Sequence, residues 1–78
     1  METLLDRITF HAGVLCGKPV IRGLRISVEM ILELLAKGAS EREILDDYPE
    51  LELADIRAAL AYAYRLLAGE TILDRLSA

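Results

Sequence analysis

Tryptophan is absent from this chain, and phenylalanine, histidine and cysteine occur once each. A single cysteine excludes an intramolecular disulfide, so the domain must hold together without a covalent staple, as suits a reducing compartment. His11 and Cys16 stand alone in their types, whereas a structural zinc site draws on four such ligands. No third group marks out a Cys–His nucleophilic pair, and the expectation is a surface His11 and a semi-buried Cys16. Long apolar runs are also missing, and none approaches the roughly 18 residues of a membrane-spanning helix. The start at Met1-Glu2 lacks the basic stretch of a secretory leader, so a cytoplasmic location is expected. With no catalytic constellation and no cofactor fingerprint, the chain is read as a non-enzyme that needs no cofactor or metal.

What is present is apolar and aliphatic. Hydrophobic residues make up 54% of the 78 positions, mostly Leu, Ile and Ala, a composition suited to helices packed on helices. A single domain of this size buries only about 60% of the surface its unfolded chain exposes. Apolar surface is left over, and a partner or a second copy is expected to cover it. The net charge is -4, but the signs are segregated: Arg7, Lys18, Arg22 and Arg25 lie in a stretch through Val28 that holds no acid. Generic phosphate binding is disfavoured by the acidic remainder, and any polyanion contact would have to be directed through that basic ribbon.

Three regions follow from the pattern. Residues 1–26, broken by Gly13, Gly17, Pro19 and Gly23, contain the short β-branched pieces Arg7–Phe10, Pro19–Arg22 and Leu24–Ile26, which predict a small β-hairpin or arm. Residues 27–68 predict three helices. Val28, Ile31, Leu32 and Leu35 form the first, capped by Ser27 and stopped at Gly38. Ser40-Glu41-Arg42-Glu43 has capping-box spacing and opens the second, which carries Ile44 and Leu45 inward and ends at Tyr48-Pro49. The third is expected to run to about Leu67, with Leu53, Ile56, Leu60, Ala63 and Leu67 facing the core and Gly69 as its stop. Residues 69–78 form a tail whose Ile72, Leu73 and Leu76 are compatible with a further short helix. The fold class is therefore mainly α: a three-helix, helix-turn-helix-like core with an N-terminal β-arm.

Several motifs resolve to ordinary structure. Gly13-Val14-Leu15-Cys16-Gly17-Lys18-Pro19 lacks both the glycine spacing and the Ser or Thr of a phosphate loop, and Pro19 has no amide to donate. Asp46, Asp47, Glu50, Glu52 and Asp55 gather around the turn between the second and third helices, where they read as solvated helix-end charges. The leading edge of the third helix is a poor base reader, since Glu52 and Asp55 repel phosphate and only Arg57 offers a guanine-reading fork. Its expected outer face, Arg57, Ala58, Ala61, Tyr62 and Arg65, instead combines residue types found at protein interfaces.

Gly17-Lys18-Pro19-Val20-Ile21-Arg22-Gly23, Arg25-Ile26-Ser27-Val28, Glu43-Ile44-Leu45, Tyr48-Pro49, Asp55-Ile56 and Ala58-Ala59-Leu60, in this order and spacing, resemble the bacterial and archaeal family known as domain of unknown function 433. The likeness spans roughly residues 7–64. The resemblance implies a helix-turn-helix-like fold and an antitoxin encoded beside a PIN-like ribonuclease toxin. It also implies a homodimer, with autoregulation through operator DNA as a further expectation, and does not imply catalysis. The chain departs from the family pattern at Leu24 and Glu52, where Thr is usual, and in lacking Asp-Pro before Gly17. Leu24 removes a hydroxyl that could bond backbone or phosphate, and Glu52 is a poorer helix cap than Thr.

The resulting expectation is a toxin-neutralising binding protein whose candidate contacts to partner or DNA are Lys18, Arg22, Arg25, Arg57, Tyr62 and Arg65. An arginine of the ribbon, Arg22 or Arg25, would enter the acidic site of the toxin by a bidentate contact. The rival expectation is a stand-alone helix-turn-helix DNA-binding regulator.

Overall fold

The structure, a computed structural model, describes the backbone of residues 3–77 and the side chains of residues 3–69. It is mainly α-helical with a small N-terminal sheet. A 3-10 turn, Leu4–Arg7, leads into β1 (Ile8–Thr9), and a second 3-10 turn, Leu15–Gly17, leads into β2 (Val20–Ile21). The helices α1 (Val28–Ala36), α2 (Glu41–Asp47) and α3 (Leu53–Ser77) follow.

The strands pair antiparallel, with Ile8 opposite Ile21 and Thr9 opposite Val20. On its other side β2 meets the chain entering α1: Val20 bridges Ser27, and the Ile21 amide donates to the Ile26 carbonyl at 3.0 Å. The reversal between them places Arg22 at φ 46 and Gly23 at φ 73. Its Leu24 amide donates to the Ile21 carbonyl at 2.7 Å. Positive φ at both central positions matches the twist of a tight hairpin, which Gly23 meets freely and Arg22 at a steric cost.

The helix starts follow the sequence signals. The Ser27 hydroxyl accepts the Met30 amide at 3.0 Å. In the capping box of α2, the Glu43 amide donates to the Ser40 hydroxyl at 3.1 Å and the Ser40 amide to Glu43 Oε1 at 2.8 Å. Those bonds from Ser40 hold the Glu43 carboxyl below its ordinary range. Ile21, Ile26, Val28, Ile31, Ile44, Leu51, Ile56 and Ala59 form the core, and half-buried residues that include Leu24, Leu32, Leu35, Tyr48 and Tyr62 pack against it.

The third helix departs from the expectation in three ways. It runs 25 residues, through Gly69 to Ser77, since one glycine inside a helix costs only about 1 kcal/mol. The expected tail is thus a continuation of α3. Its core face is also rotated: Leu53, Leu60 and Leu67, expected inside, are exposed, while Ala58, expected outside, is buried with Ile56 and Ala59. Small side chains at Ala58 and Ala59 let other elements approach closely, and α3 packs most extensively against the N-terminal 3-10 turn, an element the sequence reading did not foresee. Cys16, expected semi-buried, is exposed, because Leu15, Cys16 and Gly17 all take positive φ in the loop before β2.

Candidate functional site: a buried aspartate and an exposed apolar stripe

The acidic turn between α2 and α3 divides sharply. Asp46, Asp47, Glu50 and Glu52 are exposed, as expected, whereas Asp55 is 0% exposed. Asp55 is the third residue of α3, and its Oδ2 accepts the Glu52 amide at 2.8 Å, which satisfies a helix-start donor. Two arginines of the basic ribbon complete its bonding. Arg7 NH1 donates to Oδ1 at 2.9 Å, and Arg22 grips both oxygens, Nε to Oδ1 at 3.1 Å and NH2 to Oδ2 at 2.8 Å. Arg22 NH2 also donates to the Glu50 carbonyl at 2.8 Å, and Arg7 NH1 to Glu52 Oε1 at 2.7 Å. Among the described residues no buried side-chain polar atom lacks a partner.

Burial by itself raises the carboxyl pKa of Asp55, but the bonds from Arg22, from the Glu52 amide and from Arg7 together outweigh it and hold the group below its ordinary 3.8. The hydrogen bond to Asp55 in turn raises the Arg22 guanidinium above its ordinary range. A carboxyl depressed on folding stabilises the fold fully above its unfolded value and loses that contribution as pH falls through the lower folded value. Unfolding free energy measured by urea titration should therefore decline as the pH is taken below about 4, and Asp55→Asn should remove part of that decline. An unchanged acid limb in the variant would mean that Asp55 is not the group responsible.

The other predicted contacts fall into two groups. Lys18 and Arg25 are both exposed and line one cleft, in which Lys18 pairs with Glu29 at 3.0 Å. Arg57 and Arg65 are exposed on α3, and Tyr62 is half-buried against the core, its ring 6.2 Å from that of Phe10. Arg22, the candidate for insertion into a partner, is instead turned onto Asp55 with its side chain 38% exposed. The sequence reading missed the anchoring role of Asp55, although its position three residues after Glu52 has capping-box spacing.

Opposite the core, α3 carries an apolar stripe. Leu53, Leu60, Tyr64 and Leu67 recur at the steps that align side chains along one helix face, and they are 41%, 45%, 71% and 59% exposed. Arg57 stands beside Leu60 on this face, also exposed. Apolar residues at this spacing leave a continuous apolar row on the solvent side of α3.

Residues 8–63 match the family described as protein of unknown function (DUF433). The chain belongs to the DUF433 family. It is 36% identical over 56 residues to an uncharacterized protein, y4eO, of Sinorhizobium fredii, an alignment that covers 72% of this chain and 25% of that protein. The DUF433 domain here thus spans about a quarter of the length of that relative. A crystal structure of a DUF433 member from Anabaena variabilis superposes with a TM-score of 0.73 at 32% identity, covering 94% of this chain and 70% of the other. The matched span contains the hairpin, α1, α2 and the first part of α3, with Asp55 and Arg22 but without the Leu4–Arg7 turn. No helix among the described residues is long and apolar enough to cross a membrane.

Proposed function

We propose that this DUF433 domain is an antitoxin-type binding protein that neutralises a PIN-like ribonuclease toxin encoded by a neighbouring gene. The observation that carries the reading is the exposed stripe of Leu53, Leu60, Tyr64 and Leu67 on α3. An aromatic and leucines in one row supply the buried centre that a stable interface needs, and the arginine alongside suits an acidic partner. The engagement of Arg22 with Asp55 speaks against insertion of that side chain into a partner and supports α3 as a main contact. Homodimerisation and operator binding belong to the same proposal.

A DNA-binding regulator without a toxin draws support only from the outline of short α2, turn and longer α3. The exposed Glu52 at the start of α3 opposes it, because a carboxylate at the leading edge of a recognition helix meets phosphate. Co-expression with the neighbouring gene product, with a tag on one chain only, tests the choice. The expected result is a complex that elutes together and lacks ribonuclease activity. A chain that elutes without its neighbour and shifts its operator with a steep salt dependence would overturn the antitoxin reading in favour of the regulator.

A further inference from the structure

The ribbon cations differ in what they have left to offer. Arg7 and Arg22 are committed to Asp55, and Lys18 to Glu29. Arg25 is exposed and makes no side-chain hydrogen bond or ion pair among the described residues. It lines an open cleft of about 480 Å³ between the Leu15–Lys18 loop and the start of α1. Leu15 and Met30 give the cleft apolar walls, and Cys16 and Ser27 also border it. Two acids line it as well, but each is already matched by a lysine: Glu29 by Lys18 at 3.0 Å and Glu33 by Lys37 at 3.2 Å. The uncompensated charge of the cleft is therefore the Arg25 guanidinium, set beside apolar surface.

We propose that this cleft receives a glutamate or aspartate side chain from an acidic peptide segment of the protein partner. Arg25 forms the bidentate contact to the carboxylate, and a neighbouring apolar residue of the peptide lies against Leu15 and Met30. The assignment rests on the reading of the chain as a protein-binding module and adds a second contact remote from the α3 stripe in sequence. A polynucleotide fits less well. Its successive phosphates would need a row of free cations, whereas the cleft offers one, the number that a single carboxylate needs.

The test uses the intact chain and no toxin, so its outcome is separate from that of the co-expression experiment. The isotopically labelled chain is titrated by NMR with acetyl-Leu-Glu-Leu-amide, with the same peptide carrying Gln, and with inorganic phosphate. The expected result is saturable shifts at the Arg25 guanidinium and at the amides of residues 15–18 and 30 with the Glu peptide. Affinity should be at least tenfold weaker for the Gln peptide. Arg25→Gln should lose the tenfold preference, and Arg25→Lys, which keeps the charge without the fork, should retain part of it. Equal binding of the Gln peptide, no shift with the Glu peptide, shifts elsewhere on the surface, an undiminished preference in Arg25→Gln, or phosphate binding as tightly as the Glu peptide would each overturn the proposal.

Discussion

Asp55→Ala should destabilise the fold by about 3 kcal/mol, read as a shift in the urea midpoint at neutral pH with an unchanged slope. The substitution removes the acceptor for two guanidinium groups and for the Glu52 amide at once. What remains is not merely the loss of four bonds. Arg7, with a side chain 16% exposed, loses its buried carboxylate partner and keeps its charge in a half-closed setting beside the exposed Glu52. Arg22 is better solvated at 38%, so its share of the loss is reduced by water, and the figure stays at the lower end of what breaking a buried pair costs. Domains of this size are stable by about 4 to 12 kcal/mol in all. The variant should therefore lie close to its unfolding threshold at physiological temperature. Replacing all three partners together, with Leu at position 55 and Met at positions 7 and 22, should recover most of the loss, because the only charge left without its counterion is then the solvent-exposed Glu52. An Asp55→Ala midpoint equal to that of the unaltered chain would show that the ribbon is not anchored through this carboxylate.

The anchor explains why one helix was harder to read in sequence than the other two. For α1 and α2 the relevant information is local: Ser27 and Ser40 cap their own helices, and Val28, Ile31 and Ile44 bury a stripe whose period is visible in the chain. For α3 it is not local. Leucine periodicity alone places Leu53, Leu60 and Leu67 inside, yet the helix turns those residues outward and buries Asp55, Ala58 and Ala59. The bonds between Asp55 and the distant Arg7 and Arg22 fix the rotation, and Arg7 ends the N-terminal turn against which α3 packs. A charge and two small residues override leucine because the core already has its large aliphatic side chains from β2, α1 and α2. The acid-free ribbon and the lone acid at a capping-box position were both legible. Their meeting across more than thirty residues of chain was not. The consequence reaches the candidate site, since Leu53, Leu60 and Leu67, displaced from the core by this rotation, form the apolar stripe together with Tyr64.

That stripe gives the second large effect. The double variant Tyr64→Ala, Leu67→Ser should abolish co-elution with the toxin partner while leaving the isolated domain as stable as before. Truncating two side chains at the centre of an interface costs about 2 kcal/mol each, or roughly a thousandfold in affinity if the two act independently. Tyr64 is 71% and Leu67 59% exposed in the isolated chain, so folding stability should change by no more than about 0.5 kcal/mol. Ile56→Ala supplies the contrast on the same helix. Ile56 is fully buried, and its truncation should cost about 3 kcal/mol of folding stability through the cavity it leaves, with a loss of binding only to the extent that the domain unfolds. Calorimetric titration for affinity and urea unfolding for stability separate the two faces. If the double variant bound the partner as tightly as the unaltered chain, the stripe would not be the docking face, and the Arg25 cleft would be left as the candidate contact. If instead the double variant unfolded as readily as Ile56→Ala, the outer leucines would be supporting the fold after all, and the rotation of α3 argued from Asp55 would be incorrect.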